Sequence, residues 1–292
     1  MKYISTKERL IKNIFLGIAI LSSSLILFIF VFLFRESLPA FQELGAGLFS
    51  SDWSMSQGNF GLIPALLGSV LVTIIALVIS IPVGISTALF MSEIAPPKIR
   101  KFMKPVIEIL AGIPSVVYGF FGVVIFIPFI KSRFGLSYGY TIFTGGVVIG
   151  IMALPIIISI SDDAFQAVPS EMKEASLALG ATKWQTMKDV TYPAAISGVA
   201  TSAIMGAGRA IGETMAVTLV VGSQMDLPEP FFDAFESGDT LTSLIAGRMG
   251  EAVGIETNVL FAAGVILFII VGILSLSADY LQQRVEQKFE GG

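Results

Sequence analysis

Residues 61–91 read GLIPALLGSVLVTIIALVISIPVGISTALFM, an apolar run without a single charged side chain. A helix of about 20 such residues crosses the hydrocarbon core of a bilayer. Five further apolar runs flank this one, and a spanning segment must pair its own backbone groups, so helices are predicted throughout. The predicted spans are about 14–34, 61–91, 105–130, 142–160, 194–222 and 257–280. The predicted fold class is therefore an all-α polytopic membrane protein with six transmembrane helices.

The composition supports this class and excludes several others. Of the 292 residues, 54% are hydrophobic and 14% are charged, whereas an average soluble domain carries roughly 25% charged residues. A disordered chain, a nucleic-acid binder and an ordinary soluble enzyme are thereby excluded. The chain has no Cys and no His, so we expect neither a catalytic residue nor a metal site. It also has no phosphate-binding G-x-x-x-x-G-K-[ST] loop, so uphill transport would draw on an ion gradient or another subunit.

Lys and Arg are distributed unevenly between the two sides of the predicted helices. Thirteen of the 18 lie in the N-terminal segment, the 92–104 and 161–193 connections and the C-terminal segment, and four lie on the other side. The positive-inside rule then places both termini in the cytoplasm and the acidic 226–256 loop outside. The first apolar run exceeds the usual ~7–15 residues of a signal peptide, so a retained helix is expected. We expect residues 1–292 to form a single transmembrane domain.

The connection before the fifth span contains the most specific local pattern. Ser170 is a plausible N-cap, Glu171 lies in the first turn where acids are favoured, and Gly180 is well placed to end the helix. A second short helix is predicted over 184–192, and Pro193 is predicted to open the next span. Residues 161–193 therefore fit one of two structures. They form a rigid helical knob to which another protein binds, or an ordinary amphipathic connector.

The fifth predicted span carries two charges near its middle, Arg209 and Glu213. An arginine at the bilayer centre costs about 2.5–3.5 kcal/mol on insertion scales, and Glu213 is spaced to pair with it. One small, polar helix face is predicted to contain Gly198, Ser202, Gly206, Arg209 and Glu213. Two interpretations remain open. The charges form a structural ion pair between helices, or Arg209 contacts an anion in a translocation path, since its planar fork suits phosphate or sulfate.

The third predicted span has a second stripe of this kind, with Glu108, Gly112, Ser115, Gly119 and Gly122. Pro114 lacks a backbone donor and is predicted to kink or break the helix. A broken helix can aim backbone dipoles at a transported ion. The alternative is a packing kink in which Tyr118 only fills space.

The knob resembles the cytoplasmic loop of ABC importer permeases. Glu174-Ala175-Ser176, then Gly180 after three residues and Val190-Thr191-Tyr192-Pro193 after nine more, are similar to their E-A-A-x3-G-x9-I-x-L-P motif. The resemblance implies that the short helix docks in a cleft of a separate ATPase subunit. It assigns ATPase coupling to Glu171, Glu174, Ala175, Gly180 and Ala181.

Two further segments are similar to the phosphate-specific members of these permeases. They are EILAGIPSVVYGFFG at 108–122 and GRAIGETMAV at 208–217, and the segments near 35–41 and 92–97 favour the PstC type over the PstA type. The resemblance implies the architecture of a type I ABC importer permease. It implies a substrate pathway that includes Arg209, Glu213, Ser115, Ser202 and Thr214.

The same resemblance implies a set of partners. These are a PstA-type permease in a heterodimer, two PstB-type ATPase subunits, a PstS-type phosphate-binding protein and the lipid bilayer. No cofactor is expected on this chain, because ATP and Mg²⁺ would bind the ATPase. A permease for sulfate or molybdate, an ATP-independent channel or carrier, and a membrane sensor remain alternatives.

Overall fold

A computed structural model describes residues Thr6–Glu290 and consists almost entirely of helices. The helices are α1 Thr6–Glu43, α2 Ile63–Leu89, α3 Pro97–Ala111, α4 Ser115–Phe121, α5 Ile127–Phe134, α6 Ile142–Gln166, α7 Ser170–Ala178, α8 Lys183–Thr186, α9 Tyr192–Ala194, α10 Ile196–Ile211, α11 Met215–Val220, α12 Leu241–Arg248 and α13 Ile255–Glu290. Residues 1–5 and 291–292, and with them both predicted cytoplasmic ends, lie outside the described residues.

Short segments of other types connect these helices. Three π-helical segments, Phe90–Ile94, Gly122–Phe126 and Met187–Thr191, directly follow α2, α4 and α8. A short antiparallel hairpin, β1 Trp53–Ser54 and β2 Asn59–Phe60, lies between α1 and α2.

Five straight segments are long and apolar enough to cross a membrane. Among the described residues they are Arg9–Glu43, Ile63–Ile94, Ser115–Phe134, Ile142–Gln166 and Ile255–Ser277. A sixth candidate is a bent pair, Lys183–Ala194 with Ile196–Ile211, whose two parts meet at 68°. The prediction of an all-α polytopic membrane protein is confirmed.

The third predicted span is wrong in its start, and its interruption is confirmed. Residues from 105 onward belong to α3, which ends at Ala111, and the membrane-length segment begins only at Ser115. Pro114 has extended backbone angles (φ −58°, ψ 139°) and directly precedes α4. The break therefore lies where proline removes a donor from the helix.

The fifth predicted span, 194–222, is wrong as an uninterrupted helix. Helix α10 ends at Ile211 and α11 begins at Met215, so Glu213 lies in the break between them. The carbonyl oxygen of Glu213 accepts a hydrogen bond from the Thr242 hydroxyl at 2.8 Å. A residue from a distant segment thus pairs a backbone carbonyl that the break leaves without a helical partner. No pattern within residues 194–222 predicts this contact.

Helix packing brings the two broken spans together in the centre of the molecule. Val72 and Ala76 of α2, Ile149 of α6 and Ala210 of α10 share one buried cluster, against which Tyr118 of α4 packs. A second cluster joins the 122–134 segment to α6 and α11; its buried members are Ile127, Val148, Ala216 and Val220. Both breaks therefore lie beside the same central helices, α2 and α6.

Helix α1 lies at the edge of this bundle. It packs against α13 through the ring pairs Phe30–Phe268 and Phe32–Phe261, with centroids 4.9 and 5.8 Å apart. Most apolar side chains between Leu10 and Phe34 are exposed. An apolar surface of this extent requires lipid or another protein to cover it.

Candidate translocation and coupling sites

The sequence-predicted charge pair forms at the break between α10 and α11. Arg209 Nη2 lies 3.6 Å from Glu213 Oε2, which exceeds hydrogen-bond distance and leaves the guanidinium only loosely held. The two side chains differ in exposure, 44% for Arg209 and 5% for Glu213. Apart from this pair, Arg209 Nη2 lies 3.9 Å from Met152 Sδ. Among the described contacts, most of its five N–H donors thus stay available on an open side.

Two hydrogen bonds hold Glu213, one to its backbone carbonyl from Thr242 and one to its side-chain carboxylate. Its Oε1 accepts from the backbone N–H of Ala216 at 3.2 Å, so the carboxylate caps the first turn of α11. A carboxylate in this position also interacts favourably with the positive end of the helix. The position of the Glu213 carboxylate is therefore set by α11 as well as by Arg209.

A buried polar cluster at the start of α12 supports the break. Thr240 and Ser243 form a capping box at the α12 N-terminus, and the Ser243 hydroxyl donates to the Asp239 carboxylate. Burial raises the pKa of Asp239, whereas hydrogen bonds from Ser243 and from the Thr240 N–H oppose that rise. The Leu241 N–H donates to Ser69 Oγ of α2 at 2.9 Å. The cluster therefore connects α2 to the segment whose Thr242 holds the Glu213 carbonyl.

Sequence reasoning did not find this cluster, because it treated 226–256 as a solvent-exposed outer loop. The usable signal is the Thr240-x-x-Ser243 spacing, a helix-start pattern directly before Leu241 and Leu244. Asp239 is only 3% exposed, which charge counting along the sequence does not indicate.

The other predicted pathway residues separate into two groups. Thr214 directly follows Glu213 and is partly exposed, and Ser115 is partly exposed as the first residue of α4. Ser202 is fully buried, accepts from Ser161 at 2.7 Å and donates to the Val199 carbonyl at 2.8 Å. The Ser202 hydroxyl thus serves the contact between α6 and α10, and this structure does not bring it to an open path.

The first break is bridged by Tyr118. Its hydroxyl donates to the Leu110 carbonyl at 2.8 Å, which joins α4 to the end of α3 across residues 112–114. The side chain also packs against the central cluster. Tyr118 therefore does more than fill space, since it holds the two sides of the break in register.

The predicted knob forms largely as expected. Helix α7 begins at Ser170, with Pro169 at the N-cap position and no side-chain cap, so the predicted cap is one residue off. Gly180 ends α7 in the left-handed region (φ +87°), and the Ala181 N–H returns to the Ser176 carbonyl. The second helical stretch covers residues 183–194.

The predicted role of Pro193 at the start of the fifth span is wrong. Pro193 lies within α9, and α10 begins at Ile196 beyond the 68° bend. Proline lacks only a donor that the first turn of a helix leaves unpaired, so it fits the short α9 as well as a longer helix.

The residues assigned to ATPase coupling lie on an exposed surface. Glu171, Glu174, Ala175 and Gly180 are exposed, Ala181 is partly exposed, and α7 has no buried residue. Large apolar side chains are exposed beside them, with Leu179 at 90% and Trp184 at 63%. Apolar side chains among charged ones on an exposed knob are typical of a protein-binding surface.

Replacing Gly180 by alanine is expected to loosen the end of α7. No atom lies within 4 Å of an added Cβ, so the effect comes only from the left-handed backbone, about 1–2 kcal/mol. Amide hydrogen exchange over residues 177–181 should accelerate about tenfold, following that free energy. Gly180→Asn should show a smaller acceleration, since Asn tolerates this region better. Equal exchange in Gly180→Ala and the unmodified protein would contradict this account of the helix end.

Broken membrane helices, an arginine at a break and an exposed helical loop together are typical of a transport permease. Residues 80–291 match the family described as "Binding-protein-dependent transport system inner membrane component", and the chain belongs to this family. It is accordingly the multi-pass membrane component of an ABC importer.

Relatives of known name agree with this assignment. The chain is 39% identical over 262 residues to the "Probable ABC transporter permease protein YqgH" of Bacillus subtilis (strain 168), covering 87% of this chain and 84% of that one. It is 34% identical to the "Phosphate transport system permease protein PstC" of Pasteurella multocida, covering 82% and 80%. It is 33% identical to the "Probable phosphate transport system permease protein PstC" of Methanocaldococcus jannaschii, covering 89% of each chain. The predicted resemblance to PstC-type permeases is confirmed.

Solved structures share the fold at low sequence identity. A chain of a bacterial alginate ABC transporter in complex with an alginate-bound periplasmic protein superposes with a TM-score of 0.63 at 20% identity, covering 95% of this chain and 97% of that one. A chain of the inward-facing MetNI methionine ABC transporter gives 0.60 at 20% identity, covering 77% and 95%. The predicted architecture of a type I ABC importer permease is confirmed.

Proposed function

We propose that this chain is one of the two membrane subunits of an ATP-driven phosphate importer. The observation that carries the proposal is the half-exposed Arg209 held loosely beside a buried Glu213 at a break in a membrane helix. A guanidinium with donors free on one side suits an oxyanion, because its planar fork matches two oxygens at once. The relatives named as phosphate transport permeases favour phosphate over other oxyanions as the substrate.

In this proposal Arg209 is a weak, transient contact for phosphate. A pathway site must attract the anion and still release it, so tight binding would slow transport. Glu213 lowers the net charge of the site and thereby limits the affinity. Thr214 and Ser115, at the two breaks, add hydroxyl groups to the same pathway.

The exposed knob is proposed to contact the ATPase. Glu171, Glu174, Ala175, Gly180 and Ala181 lie on its surface. The positive-inside pattern supports a cytoplasmic location for this face and for both termini. Closure of two PstB-type ATPase subunits, which hold the ATP and Mg²⁺, would move the knob. A PstA-type permease would supply the other half of the pathway, and a PstS-type protein would deliver phosphate from outside.

Uptake of labelled phosphate into proteoliposomes tests this function. The vesicles contain this chain with the PstA-type permease, the ATPase and the binding protein, and receive ATP or a non-hydrolysable analogue. We expect uptake that requires hydrolysable ATP and persists in excess sulfate. Uptake suppressed by sulfate would show that the importer is not specific for phosphate and that another oxyanion is its substrate. Uptake without ATP would overturn the coupling role of the knob.

A further inference from the structure

Helix α7 lacks the usual means by which a helix is held in place. Most helices in proteins are stabilised by packing an apolar face, yet α7 has no fully buried side chain, and its apolar Met172 and Leu177 remain 46% and 43% exposed. A helix that transmits movement from an ATPase has to be attached to the membrane helices that it displaces. Specific polar contacts must therefore contribute much of its attachment.

Lys173 provides the strongest of these contacts. Its Nζ lies 2.6 Å from Glu93 Oε1, and the two side chains are only 22% and 13% exposed. The same Nζ lies 3.4 Å from the Phe165 carbonyl at the end of α6. An ion pair that is shielded from water and within hydrogen-bond distance is stronger than the exposed pairs common on surfaces. A second, neutral contact joins Ser176 to Thr186 at 3.0 Å.

Glu93 lies where the ends of α2 and α6 pack together. It lies in the π-helical segment that continues α2, and the Ser92 hydroxyl donates to its carboxylate at 3.2 Å. Next to it, Met91 is buried in one cluster with Ala88 and Phe165. The Lys173 side chain is thus fastened to the joined ends of α2 and α6.

Helix α2 continues from this point to the candidate translocation site. Ser69, in its first half, accepts the Leu241 N–H at 2.9 Å, and the neighbouring Thr242 holds the Glu213 carbonyl at 2.8 Å. A displacement of α2 would therefore reach the break that contains Glu213, beside which Arg209 lies. Direct contacts thus form a continuous series from Lys173 through α2 to the Glu213 carbonyl.

We propose that Lys173 and Glu93 are positioning residues of the transport cycle, which fasten α7 to α2 so that movement of the knob shifts α2. This inference rests on the proposed contact between the knob and the ATPase. Neither residue touches the substrate, and both act through α2. The prediction is a loss of coupling between ATP hydrolysis and uptake, with assembly intact.

The test measures phosphate taken up per ATP hydrolysed in the reconstituted complex. Lys173→Met keeps most of the side-chain length without charge, and Glu93→Gln keeps the shape without charge. Each should lower the ratio at least about fivefold, the smaller end of typical coupling energies. The doubly reversed K173E/E93K should recover most of it, although the Phe165 carbonyl loses its lysine donor. The matched control is Lys101→Met, an exposed lysine of α3, which should leave the ratio unchanged.

The outcomes separate this inference from the proposed function. If the unmodified complex couples ATP to uptake and both single variants keep its ratio, the Lys173–Glu93 link is overturned alone. If hydrolysis and uptake fall together because the variants no longer bind the ATPase, the contact is structural and the inference is also overturned. If the unmodified complex transports without ATP, the proposed function falls, and the link with it.

Discussion

Arg209→Gln is expected to reduce phosphate uptake about a hundredfold while the complex still assembles. A hydrogen bond to a charged group contributes about 1.5–3 kcal/mol, and the upper value corresponds to that factor. Glutamine replaces the charged, planar guanidinium on the open side of the break by a neutral amide. Assembly should persist, because Glu213 keeps its hydrogen bond from the Ala216 N–H, and α11 thus keeps its cap.

Two further variants sharpen this measurement. Arg209→Lys keeps the charge without the planar fork, so uptake should fall to an intermediate level. Met152→Leu removes the contact between sulfur and guanidinium at nearly unchanged side-chain volume and should leave uptake near the original value. Normal uptake by an assembled Arg209→Gln complex would rule out an anion contact and leave a structural ion pair.

The second large effect is expected at Gly68. In α2, a Cβ at this position would overlap the backbone carbonyl oxygen of Asp239. Backbone cannot rotate away as a side chain can, so Gly68→Ala must displace the start of α12. Overpacking typically costs about 1–3 kcal/mol, and an overlap with backbone lies at the upper end of that range. The thermal unfolding midpoint of the purified complex should fall, and uptake should fall too, because the displaced segment includes Thr242.

Gly247→Ala is the matched control for this variant. Gly247 lies in α12 itself, and no atom lies within 4 Å of a Cβ added there. Alanine also favours helix formation by about 1 kcal/mol over glycine, so the midpoint should hold or rise. An unchanged midpoint in Gly68→Ala would show that α2 and α12 are not in the close contact described above.

The membrane-spanning class and most spans could be predicted from hydropathy, since a bilayer imposes length and apolarity on each segment. The break at Pro114 could also be predicted, because proline acts through its own covalent structure. The break at 212–214 has no such residue. Its Glu213 carbonyl is paired by Thr242, which lies 29 residues further along the chain and reaches it only in the folded molecule.

The candidate site shows the same limit. Spacing predicts that Arg209 and Glu213 can meet, and they do, but it does not indicate that one is exposed and the other buried. Ser202 has the spacing of the polar face and is nevertheless buried against α6, because Ser161 lies opposite it. The pair between Lys173 and Glu93 joins positions 80 residues apart, and no local pattern connects them.

Helix α7 has no fully buried side chain, and this exposure has a consequence for how importers diversify. Substitutions on the outward surface of this helix leave the interior packing of the bundle intact. Under the proposed contact between α7 and the ATPase, the choice of ATPase and the membrane fold would therefore evolve under separate constraints. Under the same proposal, a permease would exchange its ATPase by changing a few exposed positions while the ion pair between Lys173 and Glu93 is kept. Modular replacement of this kind would let one ancestral membrane scaffold serve many differently powered systems.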